Sequence, residues 1–209
     1  GTDALASQNF TTSTDSYNTA VGMMAGYSVT TATGSTFVGG LSGDAVTTGA
    51  NNTFLGYRSG TSQDTAAENT GVGRDALFTN TKSANNVAVG STALAFLNHA
   101  TATDAFNVAV GNSAGYALTT GIYNTLIGGQ AGDALTDADE NVAIGLNALT
   151  SDTLGSKSVA IGRSALGLQN FTTAVDTYNT GVGYFAGVNI TTGVENTLIG
   201  GLAGDALTD

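Results

Sequence analysis

The sequence predicts an all-β fold, specifically a parallel β-solenoid (a β-roll). Three observations predict it: one short phrase recurs at near-fixed spacing, its positions favour strand and turn over helix, and each position keeps its character from copy to copy. The phrase reads Asn/Ser-Thr/Val-x-(Val/Ile/Leu)-Gly. Its eleven copies start at Asn18, Ser35, Asn52, Asn69, Asn86, Asn107, Asn124, Asn141, Ser158, Asn179 and Asn196. The step is 17 residues, except for two steps of 21, from Asn86 to Asn107 and from Ser158 to Asn179. So short and regular a period marks a solenoid, in which each unit contacts only its neighbours. It also argues against an enzyme, because a repeat places the same chemistry at every turn and an active site needs one unique constellation.

Each copy is numbered from its Asn or Ser as position 0. Position 1 is always Thr or Val, and position 3 is always aliphatic, from Val21 and Val38 through Leu55 to Ile199. These residues favour strands, and positions 1 and 3 share a face because strand side chains alternate. Position 4 is Gly in every copy: Gly22, Gly39, Gly56, Gly73, Gly90, Gly111, Gly128, Gly145, Gly162, Gly183 and Gly200. A glycine fixed in every coil calls for a positive φ or a close backbone approach. Position 7 is always Ala or Ser, which fits a tight interior corner, and position 8 is only Gly or Leu. A second strand is expected at positions 9 to 13, where position 11 is often aliphatic (Val29, Val46, Leu118, Leu135, Ile190, Leu207) and position 12 often Thr. Helix is excluded by the density of Gly and by the lack of an apolar stripe at helical spacing. Coils stacked at about 4.8 Å would make a rod roughly 50 Å long, with ladders of Asn, Thr and aliphatic side chains running along it.

Position 2 lies on the opposite strand face from positions 1 and 3. It is never polar: Ala20, Phe37, Phe54, Gly71, Ala88, Ala109, Leu126, Ala143, Ala160, Gly181 and Leu198. A lone solenoid should alternate apolar inside with polar outside. Here one apolar face can fill the coil and the other needs a partner. Position 2 is expected to face that partner, in a parallel homotrimer closed by cyclic symmetry.

Composition narrows the function. The 209 residues carry 30 Gly, no Pro, no Cys and a net charge of −11. An acidic chain poor in Lys and Arg does not bind nucleic acid through its phosphates, nor an anionic membrane surface. No apolar run approaches the roughly 20 residues of a membrane helix. The acidity reads as solubility and self-repulsion. The chain opens at Gly1-Thr2-Asp3-Ala4-Leu5, already the second half of a repeat, and stops mid-repeat at Asp209. It therefore reads as one continuous repeat region over 1–209, cut from a longer fibre.

Ser158-Val159-Ala160-Ile161-Gly162-Arg163-Ser164-Ala165 resembles the head repeat of trimeric autotransporter adhesins, as do Asn141-Val142-Ala143-Ile144-Gly145 and Asn86-Val87-Ala88-Val89-Gly90. The Asn-Thr copies, such as Asn179-Thr180-Gly181-Val182-Gly183-Tyr184-Phe185-Ala186-Gly187, are similar to repeats of phage tail fibres and bacterial fibre proteins. The resemblance implies a left-handed roll, three chains per fibre, an extracellular place on a cell surface or virion, and a role in surface attachment. The coils here are longer than that adhesin repeat.

The 21-residue coils break the regularity, with extra residues in 97–106 and 169–178. The segment 8–17 matches the latter. All three place an Asp and then an aromatic before the next Asn: Asp15 and Tyr17, Asp104 and Phe106, Asp176 and Tyr178. Insertions in solenoids form loops on one face, often the binding face, so these six are candidate binding residues for a host-surface receptor or glycan. The competing reading is a bulge that adjusts twist or register. His99, matched by Phe10 and Phe171, is expected at the surface. Asp133, Asp137, Asp139 and Glu140 offer oxygen ligands of the kind calcium takes, but in no known calcium pattern, and a solvated turn is expected. The Gly-rich phrases lack the Gly-Lys-Ser/Thr ending of a phosphate loop. The Thr row is a candidate ice-binding array, although position 13 beside it is mixed. No cofactor, catalytic residue or metal site is expected. The main expectation is a structural and adhesive fibre segment; the alternative is a solenoid binding module for ice or glycan.

Overall fold

The computed structural model describes residues 1–209. It is a parallel β-solenoid without helix, divided into two compact units, Gly1–Phe106 and Asn107–Asp209. In the first unit, β1 (Thr19–Val21), β2 (Thr36–Val38), β3 (Thr53–Leu55), β4 (Thr70–Val72) and β6 (Val87–Val89) form a parallel ladder. Each strand pairs with the same residues of the next coil: Thr19 with Thr36, Phe37 with Phe54, Val72 with Val89. A second, two-stranded ladder joins β5 (Ser83–Ala84) to β7 (Thr103–Asp104). The second unit repeats the plan. Its main ladder runs through β8 (Val108–Val110), β9 (Thr125–Ile127), β10 (Val142–Ile144), β12 (Val159–Ile161), β14 (Thr180–Val182) and β15 (Thr197–Ile199). Its short ladder joins β11 (Gly155–Ser156) to β13 (Val175–Asp176).

Each strand ends at the invariant glycine. At Gly111 φ is 142°, a region only glycine enters readily, and a Cβ there would fall on the carbonyl oxygen of Gly128 in the next coil. Both sequence-based reasons for this glycine therefore hold at once. A run of turns follows, with left-handed residues at positions 6 and 8, for example Met24 (φ 55°) and Gly26 (φ 61°). A third left-handed residue precedes the next Asn, as at Tyr17 (φ 51°). These repeated reversals bend the chain around a narrow interior. The expected second strand at positions 9 to 13 is absent. The only other strands are the two-residue pieces, which lie later in the coil and only where a long coil meets its neighbour.

The inside and outside of the strand are the reverse of the expectation. Position 2 faces the core: Phe37, Phe54, Ala88, Ala109, Leu126, Ala143 and Ala160 are fully buried. Positions 1 and 3 face outward, with Val21 57% exposed and Leu55 46%. The physical reason lies in the volumes at positions 2 and 8. Phe37, Phe54, Leu126 and Leu198 are each followed at position 8 by Gly43, Gly60, Gly132 and Gly204. Gly71, Ala88, Ala143 and Ala160 are followed by Leu77, Leu94, Leu149 and Leu166. The space a Cβ would need at Gly60 is taken by the Phe54 ring, and at Gly132 by Leu126. Two positions that share one small volume must both point into it. Close packing leaves no room for two large residues, and where both are small, as at Ala20 with Gly26 and Gly181 with Gly187, side chains of neighbouring coils take the space, Phe37 at Gly26 and Leu166 at Gly181.

Leu at position 8 adopts the left-handed region, with φ 53° at Leu77 and 48° at Leu166. That conformation costs roughly 1–2 kcal/mol, whereas burying a leucine contributes roughly 1.5–3 kcal/mol. Burial outweighs strain, so Leu is tolerated at position 8 after Gly71, Ala88, Ala143 and Ala160.

A polar spine runs beside this core. Asn52, Asn69, Asn124 and Asn141 are fully buried. Each amide oxygen accepts the backbone N–H one coil on: Asn69 N–H to Asn52 at 3.0 Å, Asn141 N–H to Asn124 at 3.0 Å, Ser158 N–H to Asn141 at 2.8 Å. Each amide nitrogen donates to a carbonyl at the far side of its coil, Asn52 to Ala66 at 2.9 Å and Asn141 to Gly155 at 2.9 Å. Coil closure and coil stacking are thus fixed by one side chain, which meets the demand that buried amides be paired.

Candidate functional site

The long coils build their distinctive features from two effects: extra backbone that forms a ledge, and polar residues at positions elsewhere aliphatic. In the second unit, β13 lies against β11, and with the preceding turn it borders an open groove of about 530 Å³ lined by Asp137, Asp139, Ser156, Ala174, Val175 and Asp176. Asp137 accepts the Thr120 hydroxyl at 2.5 Å, and Asp139 accepts the Ile122 N–H at 2.8 Å. The Asp139 N–H donates to Ser156 Oγ at 3.0 Å. Carboxylates held this way serve the turn, and they do not converge into a group able to hold a metal ion.

Asp176 forms an ion pair with Lys157 at 2.7 Å and accepts the Tyr178 hydroxyl at 3.3 Å. The Lys157 hydrogen bond holds the Asp176 carboxyl below its usual range, and the same contact raises Lys157. The Lys157 ammonium also sits 5.6 Å from the Tyr178 ring centroid. The first unit contains the same pairing: the Tyr17 hydroxyl donates to Asp15 at 3.2 Å. At the third place Asp104 instead accepts Asn85 Nδ2 at 3.0 Å, beside Phe106, which has no hydroxyl. The structure therefore joins Asp to its aromatic in two of the three predicted pairs. All three aromatics are exposed, Tyr17 at 79%, Phe106 at 49% and Tyr178 at 53%.

His99 is not at the surface. It is 9% exposed, with Nδ1 2.5 Å from the Ser83 hydroxyl. The equivalence with Phe171 is sound, but Phe171 is itself buried. The extra residues of a long coil turn this position inward, where a regular coil turns it out.

Sequence reasoning missed a set of buried polar residues at position 11. Gln63, Asn80, Asp152 and Gln169 are fully buried where other coils carry Val, Leu or Ile. Asp152 accepts Gln169 Nε2 at 2.6 Å and the N–H groups of Gly155 and Phe171 at 3.1 and 3.0 Å. Gln169 donates also to Ser158 Oγ at 2.8 Å and accepts Asn179 Nδ2 at 2.8 Å. The signal was available as polar substitutions in an aliphatic column. The Thr row bonds along the stack: Thr30, Thr119, Thr136 and Thr191 each donate their hydroxyl to a carbonyl one coil on, at 3.0 to 3.1 Å.

The fold is that of a parallel β-solenoid, and no helix is long and apolar enough to cross a membrane. Comparison with protein-family models, curated proteins and solved structures gives no match.

Proposed function

We propose that the chain is a repetitive shaft or head segment of an extracellular, homotrimeric fibre that attaches to a surface, on a cell or a virion. This reading takes the coil as left-handed, with a 17-residue unit and 21-residue variants. Its mechanism is mechanical: continuous backbone ladders and a buried amide spine make a stiff element that holds a binding tip at a distance.

One observation carries the reading. The outward face of the strands, positions 1 and 3, is a column of Val, Ile, Leu and Thr, with Val21, Leu55, Ile127 and Ile199 all exposed. Soluble monomers rarely leave a contiguous apolar surface uncovered, and a repeated column is best matched by identical columns of the same chain. The partner face is thus positions 1 and 3, not position 2.

Light scattering on the intact chain tests this, with Ile144→Asp as the control. Ile144 is only half-buried in β10, so the variant should keep its fold by circular dichroism while falling from trimer to monomer. A parent chain that is a stable monomer at micromolar concentration would overturn the reading.

A further inference from the structure

We propose that the aromatic–carboxylate pairs ending the long coils are binding subsites for uncharged carbohydrate, with Tyr178 and Asp176 as the principal one. This goes beyond the fibre reading and does not rest on it.

The aromatics recur at one place in the coil and stay exposed there. The residue before each position-0 Asn or Ser is left-handed; three coils fill it with Gly34, Asn51 and Asn85, which suit that conformation, and four with the charged Glu68, Glu140, Lys157 and Glu195. Tyr17, Phe106, Tyr123 and Tyr178 occupy the same place with φ between 49° and 60°. A bulky ring is strained there, and each of the four keeps about half or more of its surface exposed, so burial offsets the strain only in part. Three of the seven tyrosines in the chain sit at this one place. A strained, exposed and recurrent aromatic points to a ligand that covers it.

The surroundings define that ligand. The Asp15–Tyr17 and Asp176–Tyr178 hydrogen bonds hold two of the rings in a fixed pose before anything binds. In the second unit, Tyr123 and Tyr178 lie three coils apart, roughly 14 Å at the interstrand spacing. Glu140 and Lys157 occupy the same place in the two coils between. The groove with Asp137, Asp139, Ser156 and Asp176 opens beside Tyr178's partner carboxylate. A pyranose offers an apolar C–H face to a ring and a rim of hydroxyls to carboxylates. Two rings with a carboxylate at Glu140 and an ammonium at Lys157 between them offer an acceptor and a donor to a short oligosaccharide lying along the coils. The carboxylates and the net charge of −11 oppose sialic acids, uronic acids and sulfated sugars.

The intact chain would be applied to an array carrying chitohexaose, cellohexaose, maltohexaose and mannohexaose beside a hyaluronan hexasaccharide and oligosialic acid, and the retained glycan titrated by calorimetry. At least one uncharged glycan should bind. Tyr178→Ala and Asp176→Asn should each weaken it about tenfold or more, and Tyr178→Phe, which keeps the ring, about threefold or less. Retention of anionic glycans alone, no retention of any glycan, or binding indifferent to both Tyr178→Ala and Asp176→Asn would overturn the proposal. The light-scattering mass of Tyr178→Ala is measured alongside. A changed mass would assign the ring to chain–chain contact and overturn the proposal, while lost binding at unchanged mass supports it and leaves the oligomeric state of the fibre a separate question.

Discussion

At the scale of single residues, the invariant glycines and the position-0 asparagines carry separate constraints. Gly111→Val places a β-branched residue at φ 142° and its Cβ on the Gly128 carbonyl. The conformational strain alone costs roughly 1–3 kcal/mol, and the clash adds to it. Urea unfolding should show a lowered midpoint, and a parent-like midpoint would refute this account. Asn141→Ala removes an acceptor from the Ser158 N–H and a donor from the Gly155 carbonyl, both inside the coil. Each buried group left unpaired costs roughly 1–3 kcal/mol, so calorimetry should show a loss of about 2–6 kcal/mol. The glycine row was legible in the sequence because one property, absence of a side chain, explains an unvarying Gly. His99 was not, because its neighbours in an alignment of coils are aromatic, and an aromatic can point either way.

At the scale of elements, apolarity on both strand faces hides which is inward. What distinguishes them is covariation within a coil: position 2 trades volume with position 8, and positions 1 and 3 trade with nothing. Phe54→Ala should cost about 3–5 kcal/mol by opening a cavity. Gly60→Leu alone should also destabilise, by about 1–3 kcal/mol of overpacking. Combined, they recreate the small–large order of the coil with Gly71 and Leu77. The double variant should therefore be more stable than the sum of the two losses by about 1–3 kcal/mol. Strict additivity in denaturant melts would show that the two positions do not share a space. The ledge element makes a pH-dependent contact. Because Asp176 is lowered when folded, its stabilisation is complete above the usual carboxylate range and fades as pH falls through the folded value. Lys157 is raised, so its part is complete below the usual amine range and fades as pH rises through the folded value. Protection from hydrogen exchange at β11 and β13, taken relative to the intrinsic rate at each pH, should be greatest between those limits, and Lys157→Met should flatten the acid side; a profile unchanged in that variant would show the pair to be inert.

At the scale of the molecule, the sequence disclosed the solenoid, because period and strand chemistry agree on it. It did not disclose the second-strand error, since Thr and Val at positions 9 to 13 fit a turn lined by backbone bonds as well as a strand. Nor did it disclose the polar interior, which depends on how extra backbone of a long coil is housed. Solenoid stability is close to a sum of coil and neighbour terms. Deleting residues 52–68, one whole coil, should set Gly71 against Phe37 and Asn69 on Ser35 and leave a folded chain. Circular dichroism and a cooperative melt would check this, and an unfolded product would mean that the coils are not interchangeable.

The buried asparagine contacts have a consequence for how such a gene can change. Because most coils offer their neighbour the same position-0 amide, and Ser35 accepts the next N–H with its hydroxyl instead, copies can be duplicated or lost by replication slippage with little reselection of the core. The pair joined by Asp152 and Gln169 is an exception: two of the three donors to its buried carboxylate, Gln169 Nε2 and the Phe171 N–H, come from the following coil. Slippage that parts those two coils leaves a buried charge with the Gly155 N–H alone. Length variation is therefore expected among the regular coils, while the long coil and the one before it are inherited together.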